Sequence, residues 1–361
     1  MTLMTDPRVQ NAKWAFTTRR VARADAAMLI PVDEDAARPL RPGDLVSASV
    51  VDIGQHGGLQ LTSGRRAVLY PGDEIVACLG ARYAPDQFEC IAELDGDYAH
   101  LVAAGGVCGV VTRQHGRMKT PTLLQVRGRL AGASGAPLNV ADYALPQASA
   151  SGERPTVISV FGATMNAGKT TSAASLIHGL AKAGLKVGAC KATGTGACGD
   201  FNAYLDAGAD AVLDFTDLGY ATTFGVEHDQ IRSVAQSLVA HLSARSVDVI
   251  VMEVADGVLQ KETAALMRDP SFRTLTDGAL FAAGDALSAI NGLATLRNAG
   301  HRVLGVTGVV TRSPMACEEA AQEAGVTFLT KNVLASAQGA KSLLAEAAGA
   351  VIGLSSSRVA A

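Results

Sequence analysis

The chain has 361 residues, 48% of them hydrophobic and 18% charged, with a net charge of −3 at pH 7. That composition excludes wholesale disorder and leaves ample apolar material for a packed core. Neither half is basic: residues 1–154 carry 16 Lys and Arg against 16 Asp and Glu, and the remainder 15 against 18. With aromatics at 4%, neither a broad phosphate-backbone footprint nor a base-stacking platform is available, so no nucleic-acid partner is expected.

At about 100–200 residues per domain, the length suits two domains. The first residues carry no apolar run of the signal-peptide kind, and no apolar stretch approaches the roughly 20 residues of a membrane span. A cytoplasmic protein without a membrane partner is expected. The cysteines (Cys78, Cys90, Cys108, Cys190, Cys198 and Cys317) show no CxxC spacing and no companion histidine cluster. They read as small buried hydrophobes, with Cys198 alone open to a second reading as a reactive thiol in a Gly-rich loop.

In chain order, short β-type runs come first, at 45–51, 66–69, 74–79 and 107–112. Turn signals such as Arg41-Pro42-Gly43-Asp44 and Pro71-Gly72-Asp73 separate them. Evenly spaced short strands predict a small barrel or sandwich over residues 1–150. Residues 82–89 read as an interface or a pocket wall, and 113–119 as a solvated basic loop. The small, polar stretch 147–155 reads as a linker.

Over 151–361 the pattern becomes strand–helix–strand. Strands are predicted at 156–161, 187–191, 247–254, 279–283, 303–310 and 327–329, and helices at 170–183, 231–244, 286–299, 317–323 and 340–348. Continuous apolar runs such as 247–254 fit parallel strands covered on both faces. The expected fold class is therefore α/β: a doubly wound, mainly parallel sheet with a smaller, barrel-like β-rich N-terminal domain.

The segment Gly162-Ala-Thr-Met-Asn-Ala-Gly168-Lys169-Thr170-Thr171 lies between a predicted strand and a predicted helix. Ala163-x4-Gly168-Lys169-Thr170 matches the P-loop pattern with Ala for the first Gly, and Gly162 supplies the flexible residue one place earlier. Small residues let backbone N–H groups curl around a phosphate, aided by the helix dipole. Gly162, Asn166, Ala167, Gly168, Lys169, Thr170 and Thr171 are the candidate nucleotide contacts, with Lys169 on the β- and γ-phosphates and the Thr170 hydroxyl on Mg²⁺.

Other residues keep two readings. Lys191 ends a strand expected beside the P-loop strand. It either bridges a γ-phosphate and an anionic substrate or is a solvated strand-end lysine. In the following loop, Thr193, Gly194 and Thr195 either donate to a substrate anion or belong to a connector. Glu253 ends an apolar strand and suits a Walker-B-type metal role or a structural one. Asp256 either contacts substrate or caps a helix beginning near Val258. Asp285 reads as an N-cap, and Asp206, Asp210 and Asp214 as surface or cap residues.

The loop, with Lys191 at the end of the next strand, resembles the dethiobiotin synthetase and cobyrinate amide-synthase group of P-loop proteins. Val251-Met-Glu253-Val-Ala-Asp256-Gly257 is similar to that group's strand-end acidic segment. Residues 304–314 are similar to its base-binding strand and loop, which implies base contacts for Thr311, Arg312 and Pro314. The resemblance covers roughly 156–335. It implies that Asp200 completes a Mg²⁺ shell with Thr170 and Glu253, the other reading of Asp200 being the N-cap of a helix at 201–207. Thr164, Met165 and Asn166 stand where the group carries acidic residues, and Thr164 is assigned to the substrate. A second resemblance, through Ala192-Thr-Gly-Thr-Gly196, is to P-loop proteins of D-glutamate N-acylation.

The function these readings imply is an ATP- and Mg²⁺-dependent ligase or kinase. It would transfer the γ-phosphoryl group to a small, carboxylate-bearing substrate, with amide formation as the preferred outcome. Lys169 and Lys191 carry the catalysis, and a homodimer is expected through the resemblance. The alternatives are an acyltransferase using acyl-CoA and a MinD/ParA-like regulatory ATPase. Thr164 stands where the latter carries a signature lysine.

Overall fold

The computed structural model describes residues 7–32, 39–149 and 154–349. Residues 1–6, and residues 150–153 of the expected linker, lie outside the described residues. The chain forms two compact units. The first comprises 1–147, 193–202 and 213–234; the second comprises 148–192, 203–212 and 235–361. Two segments that sequence alone places with the P-loop part thus group with the N-terminal part.

The first unit's strands are β1 (Lys13–Trp14), β2 (Met28–Ile30), β3 (Leu45–Asp52), β4 (Gly58–Gln60), β5 (Arg66–Val68), β6 (Glu74–Leu79), β7 (Arg82–Tyr83), β8 (Phe88–Ile91), β9 (Tyr98–Ala103), β10 (Val107–Gln114) and β11 (Thr122–Ala131). β6, β3, β11, β9 and β10 pair in that order, and a parallel β6–β10 pairing closes the ring. Closure removes the open edges a sheet would otherwise present, which is the barrel-like arrangement expected. The strands alternate with period two. Val46, Ala48, Val50, Ile75 and Ala77 enter one apolar cluster, and Leu45, Val76 and Cys78 enter another.

The second unit holds β12 (Thr156–Gly162), β13 (Val187–Lys191), β14 (Ala211–Asp214), β15 (Val249–Glu253), β16 (Gly278–Ala282) and β17 (Val303–Thr307). Their order across the sheet is β14-β13-β15-β12-β16-β17. β12 pairs in parallel with β15 and β16, β13 with β15, and β16 with β17. The connection from β12 to β13 runs one way across the sheet and that from β15 to β16 the other, so the winding reverses at β12. A reversal of this kind opens a crevice at the strands' carboxyl ends.

The helices are α1 (Pro7–Gln10) in the first unit, then α2 (Lys169–Lys182), α3 (Cys198–Asp206), α4 (His228–Ser243), α5 (Lys261–Arg268), α6 (Pro270–Leu275), α7 (Ala286–Asn298), α8 (Pro314–Ala324), α9 (Lys331–Leu334) and α10 (Ala337–Ala347). The division between units falls within α3, α4 and β14. Helix α2 buries Ala173, Leu176, Ile177 and Leu180, a stripe at helical spacing, and leaves His178 exposed. Gly179 lets α2 approach the α9–α10 segment: a Cβ there would lie 2.2 Å from the Leu334 carbonyl oxygen. Asp285 is the N-cap of α7, with a reciprocal capping box to Ser288.

Three expectations are corrected. The strand ending in Lys191 does not lie beside the P-loop strand; β15 separates them. Residues 327–329 contribute only an isolated bridge, Val306 to Phe328, because the apolar run there is too short for a ladder. Asp256 caps no helix, since α5 begins at Lys261 behind the N-cap Gln260. Asp214 is a cap, as expected, and is buried at 4% exposure with Arg19 at 3.1 Å. No described helix is long and apolar enough to cross a membrane.

Candidate functional site

The apolar strand β12 ends at Gly162, and α2 begins at Lys169 directly after Gly168, whose φ of 99° is left-handed. Glycine alone takes that conformation without steric cost. The Lys169 side chain is buried at 3% exposure and folds back over the loop. Its ammonium donates to the carbonyl oxygens of Thr164 at 2.8 Å and Met165 at 3.4 Å. Gly162 makes room for the lysine stem: a Cβ there would fall 2.7 Å from Lys169 Cγ.

Two further glycines brace the loop from outside. A Cβ on Gly257 would sit 2.3 Å from the Ala163 carbonyl oxygen, and one on Gly308 equally close to that of Ala167. The braces are hydrogen-bonded: Val258 N–H donates to Gly162 at 3.0 Å, and Val309 N–H to Ala167 at 3.0 Å. Sequence reasoning gave neither glycine a part in holding this loop. Their signal was a glycine soon after each of two apolar strands.

Thr170 and Thr171 lie in the first turn of α2, while Thr164 and Asn166 are exposed on the loop and Ala167 is buried. Lys191 and Glu253 are register partners at the ends of β13 and β15. Lys191 Nζ lies 3.8 Å from Glu253 Oε1. Glu253 is also opposite Val160 of β12, on the strand next to the phosphate loop. Tyr204, which sequence reasoning passed over, donates its hydroxyl to Glu253 Oε2. Asp256 follows with φ of 62°, a rare conformation for a residue bearing a Cβ. Thr311 Oγ1 donates to the Gly308 carbonyl oxygen at 2.8 Å, closing the turn that carries the exposed Arg312 and leads to Pro314, the first residue of α8.

The remaining candidates belong to the first unit. Gly194 N–H donates to Thr223 Oγ1 at 2.8 Å, Gly196 N–H to the Ala221 carbonyl oxygen at 2.9 Å, and Cys198 N–H to Gln60 Oε1 at 2.7 Å. These amides are committed to holding the loop. Thr193 is buried, and Thr195 forms a bridge with Thr222. Asp200 is not an N-cap: it sits within the first turn of α3, which starts at Cys198. The Cys198 thiol is buried and donates to Gly64 at 3.4 Å, and burial pushes its pKa up, against a reactive thiolate. Burial likewise pushes Cys78 and Cys90 up to about 12.

Among the described residues, no group of three or more His, Cys, Asp and Glu side chains is gathered to hold a metal. Mg²⁺ needs no such cage, since it takes one or two protein oxygens and fills its shell with phosphate and water. The Thr170 hydroxyl and the Glu253 carboxylate are hard oxygen donors of that kind.

A parallel sheet whose switch-point strand runs through a lysine-bearing loop into a helix is a P-loop α/β arrangement. No protein-family model and no curated protein matches the chain. Among solved structures it is similar to the signal recognition particle receptor FtsY from Elizabethkingia anophelis, with 16% identity and a TM-score of 0.32 over 58% of this chain and 60% of that one. A second is the signal recognition particle 54 kDa protein from Aeropyrum pernix K1 in complex with GDP, with 16% identity and a TM-score of 0.35 over 55% and 50%. A third is a nucleotide-binding protein from Archaeoglobus fulgidus in complex with ADP, with 15% identity and a TM-score of 0.35 over 51% and 86%. The chain thus spans about 60% or less of the first two relatives. Similarity at this level assigns no activity.

Proposed function

We propose that the second unit binds ATP with Mg²⁺ on the 162–170 loop and transfers the γ-phosphoryl group to a small carboxylate, as a ligase or kinase. The observation that carries this reading is the Lys169 ammonium laid over the loop, 2.8 Å from the Thr164 carbonyl oxygen. A lysine so placed meets the β- and γ-phosphates of a nucleotide seated on the loop amides.

The residues then divide the work of phosphoryl transfer, which is mostly positioning and charge neutralisation. Lys169 and the backbone amides at the start of α2 orient the phosphates. The substrate carboxylate oxygen attacks the γ-phosphorus and ADP leaves, with an acyl phosphate as the product of that step. Lys191, one strand further from the loop than sequence suggested, offsets charge on the transferring group and its acceptor. A bound Mg²⁺ would supply charge neutralisation to the phosphates. Thr170 and Glu253 are the residues that would hold it, with Glu253 oriented by Tyr204 at Oε2 and by Lys191 at Oε1. Asp256, just beyond the same strand end, is the carboxylate that would receive the substrate's amine.

The test is a thermal-shift comparison of ATP, GTP and acetyl-CoA, each with and without Mg²⁺, followed by ADP release over pools of carboxylates and amines. Saturation at a hundredfold above Kd stabilises by about 2.7 kcal/mol, enough to read as a shift. The expected result is stabilisation by Mg-ATP and carboxylate-dependent ADP release. Stabilisation by acetyl-CoA alone would sink the reading.

A further inference from the structure

We infer that Tyr204 is a positioning residue for Glu253, a role that rests on the nucleotide reading above. Tyr204 lies on α3 and is 1% exposed. Its hydroxyl donates to Glu253 Oε2, and the carboxylate that receives it is itself 2% exposed. The other oxygen, Oε1, faces Lys191 Nζ at 3.8 Å. The three side chains form a line from phenol to carboxylate to ammonium.

The backbone at Glu253 is fixed on both sides. Its carbonyl oxygen accepts from Ala192 N–H at 2.9 Å, and Val254 N–H donates to Val160 at 3.0 Å. What backbone pairing leaves undetermined is the rotation of the side chain, which decides which oxygen points where. The Tyr204 hydroxyl settles that rotation by claiming Oε2 and leaving Oε1 toward Lys191. Core packing alone does not call for a hydroxyl here. Among the described residues of this unit, the other large, fully buried aromatic side chains are Phe161, Phe272 and Phe281. A buried phenol must find an acceptor, and this one finds the carboxylate next to the phosphate loop.

Groups that orient a metal-binding carboxylate without touching the metal matter about 10- to 100-fold in metal affinity. Tyr204→Phe keeps the ring and removes only the donor. The experiment is isothermal titration of Mn²⁺ into the full-length protein saturated with the ATP analogue AMP-PNP, for the wild type, Tyr204→Phe, Glu253→Gln and the double variant. Metal-free AMP-PNP binding and the far-ultraviolet spectrum serve as controls. The expected result is an about tenfold loss of Mn²⁺ affinity in Tyr204→Phe with metal-free AMP-PNP affinity kept. The double variant should lose no more than Glu253→Gln alone. Unchanged Mn²⁺ affinity in Tyr204→Phe, or additive losses in the double variant, overturns the Tyr204 role and leaves the nucleotide reading standing. A wild-type protein that takes up no AMP-PNP overturns both.

Discussion

In the loop at 162–168 glycine makes room for a lysine, whereas in the loop at 194–199 it makes room for neighbouring chain. A Cβ on Gly162 would press on the stem of Lys169, 2.7 Å from Cγ. A Cβ on Gly196 would press on methyl groups of Thr17 and Thr216, at 2.7 and 2.9 Å, and the Gly196 carbonyl oxygen in turn leaves no space for a Cβ on Gly105. The first loop brings a cation across its own carbonyl groups. The second spends the amides of Gly194, Gly196 and Cys198 on fixed partners. Glycine content is therefore a poor guide to anion binding; what the glycine accommodates is the better one.

The comparison breaks most directly at Lys169. Replacing it with Ala should cut nucleotide-dependent turnover at least about 100-fold, the scale on which a single stabilising donor acts in a transition state. Steady-state ADP release, with circular dichroism to verify folding, measures this. Retained turnover would remove the chemical half of the contrast.

The two glycines sharpen it next. Gly162→Ala should lower turnover about tenfold or more by displacing the lysine, since misplacement by about 1 Å is costly in catalysis. Gly196→Ala should instead cost about 1–3 kcal/mol of stability, the usual range for an overpacked site. Its turnover per folded molecule should stay near that of the wild type. Urea titration and single-concentration turnover on the same preparations separate the two effects. If Gly196→Ala lost activity with stability intact, the second loop would hold ligand after all.

The parts legible in the sequence were those set by near neighbours. A buried strand, a small-residue loop, Gly168-Lys169-Thr170 and an amphipathic helix follow one another without a gap, so local pattern placed the loop and α2 to within a residue. Strand order is a long-range property. The β13 and β15 runs are both short and apolar, and nothing local tells which lies next to β12. Tyr204 was hidden for the same reason: its partner is Glu253, far along the chain on another element. In the first unit, 74–79 was readable as a strand with its observed limits. Strand β11, the longest there, went unread because Gly128, with a register shift beside it, breaks the apolar phase that Arg127 and Arg129 alternate with. Arg129 is buried nonetheless, with Asp44 at 2.8 Å as its counter-ion, and that pairing appears only once the chain has folded.

The smallest effect concerns acid and lies at His56 in the first unit. The His56 ring packs against Phe88 at 5.8 Å. Burial, with the Arg82 charge adding to it, pushes its pKa from the ordinary 6.5 down to about 4. The folded protein therefore resists a proton that the unfolded chain accepts. The stability His56 contributes by staying neutral is fully present above about pH 6.5, declines as pH falls toward 4, and changes little below that. Partial exposure discounts the effect to about 1 kcal/mol at pH 5. His100, also lowered by burial, acts in the same direction. Urea midpoints at pH 7 and pH 5 should therefore fall further for the wild type than for His56→Gln, which cannot take up the proton. Equal losses in both proteins would assign the acid sensitivity to other groups and leave His56 as packing alone.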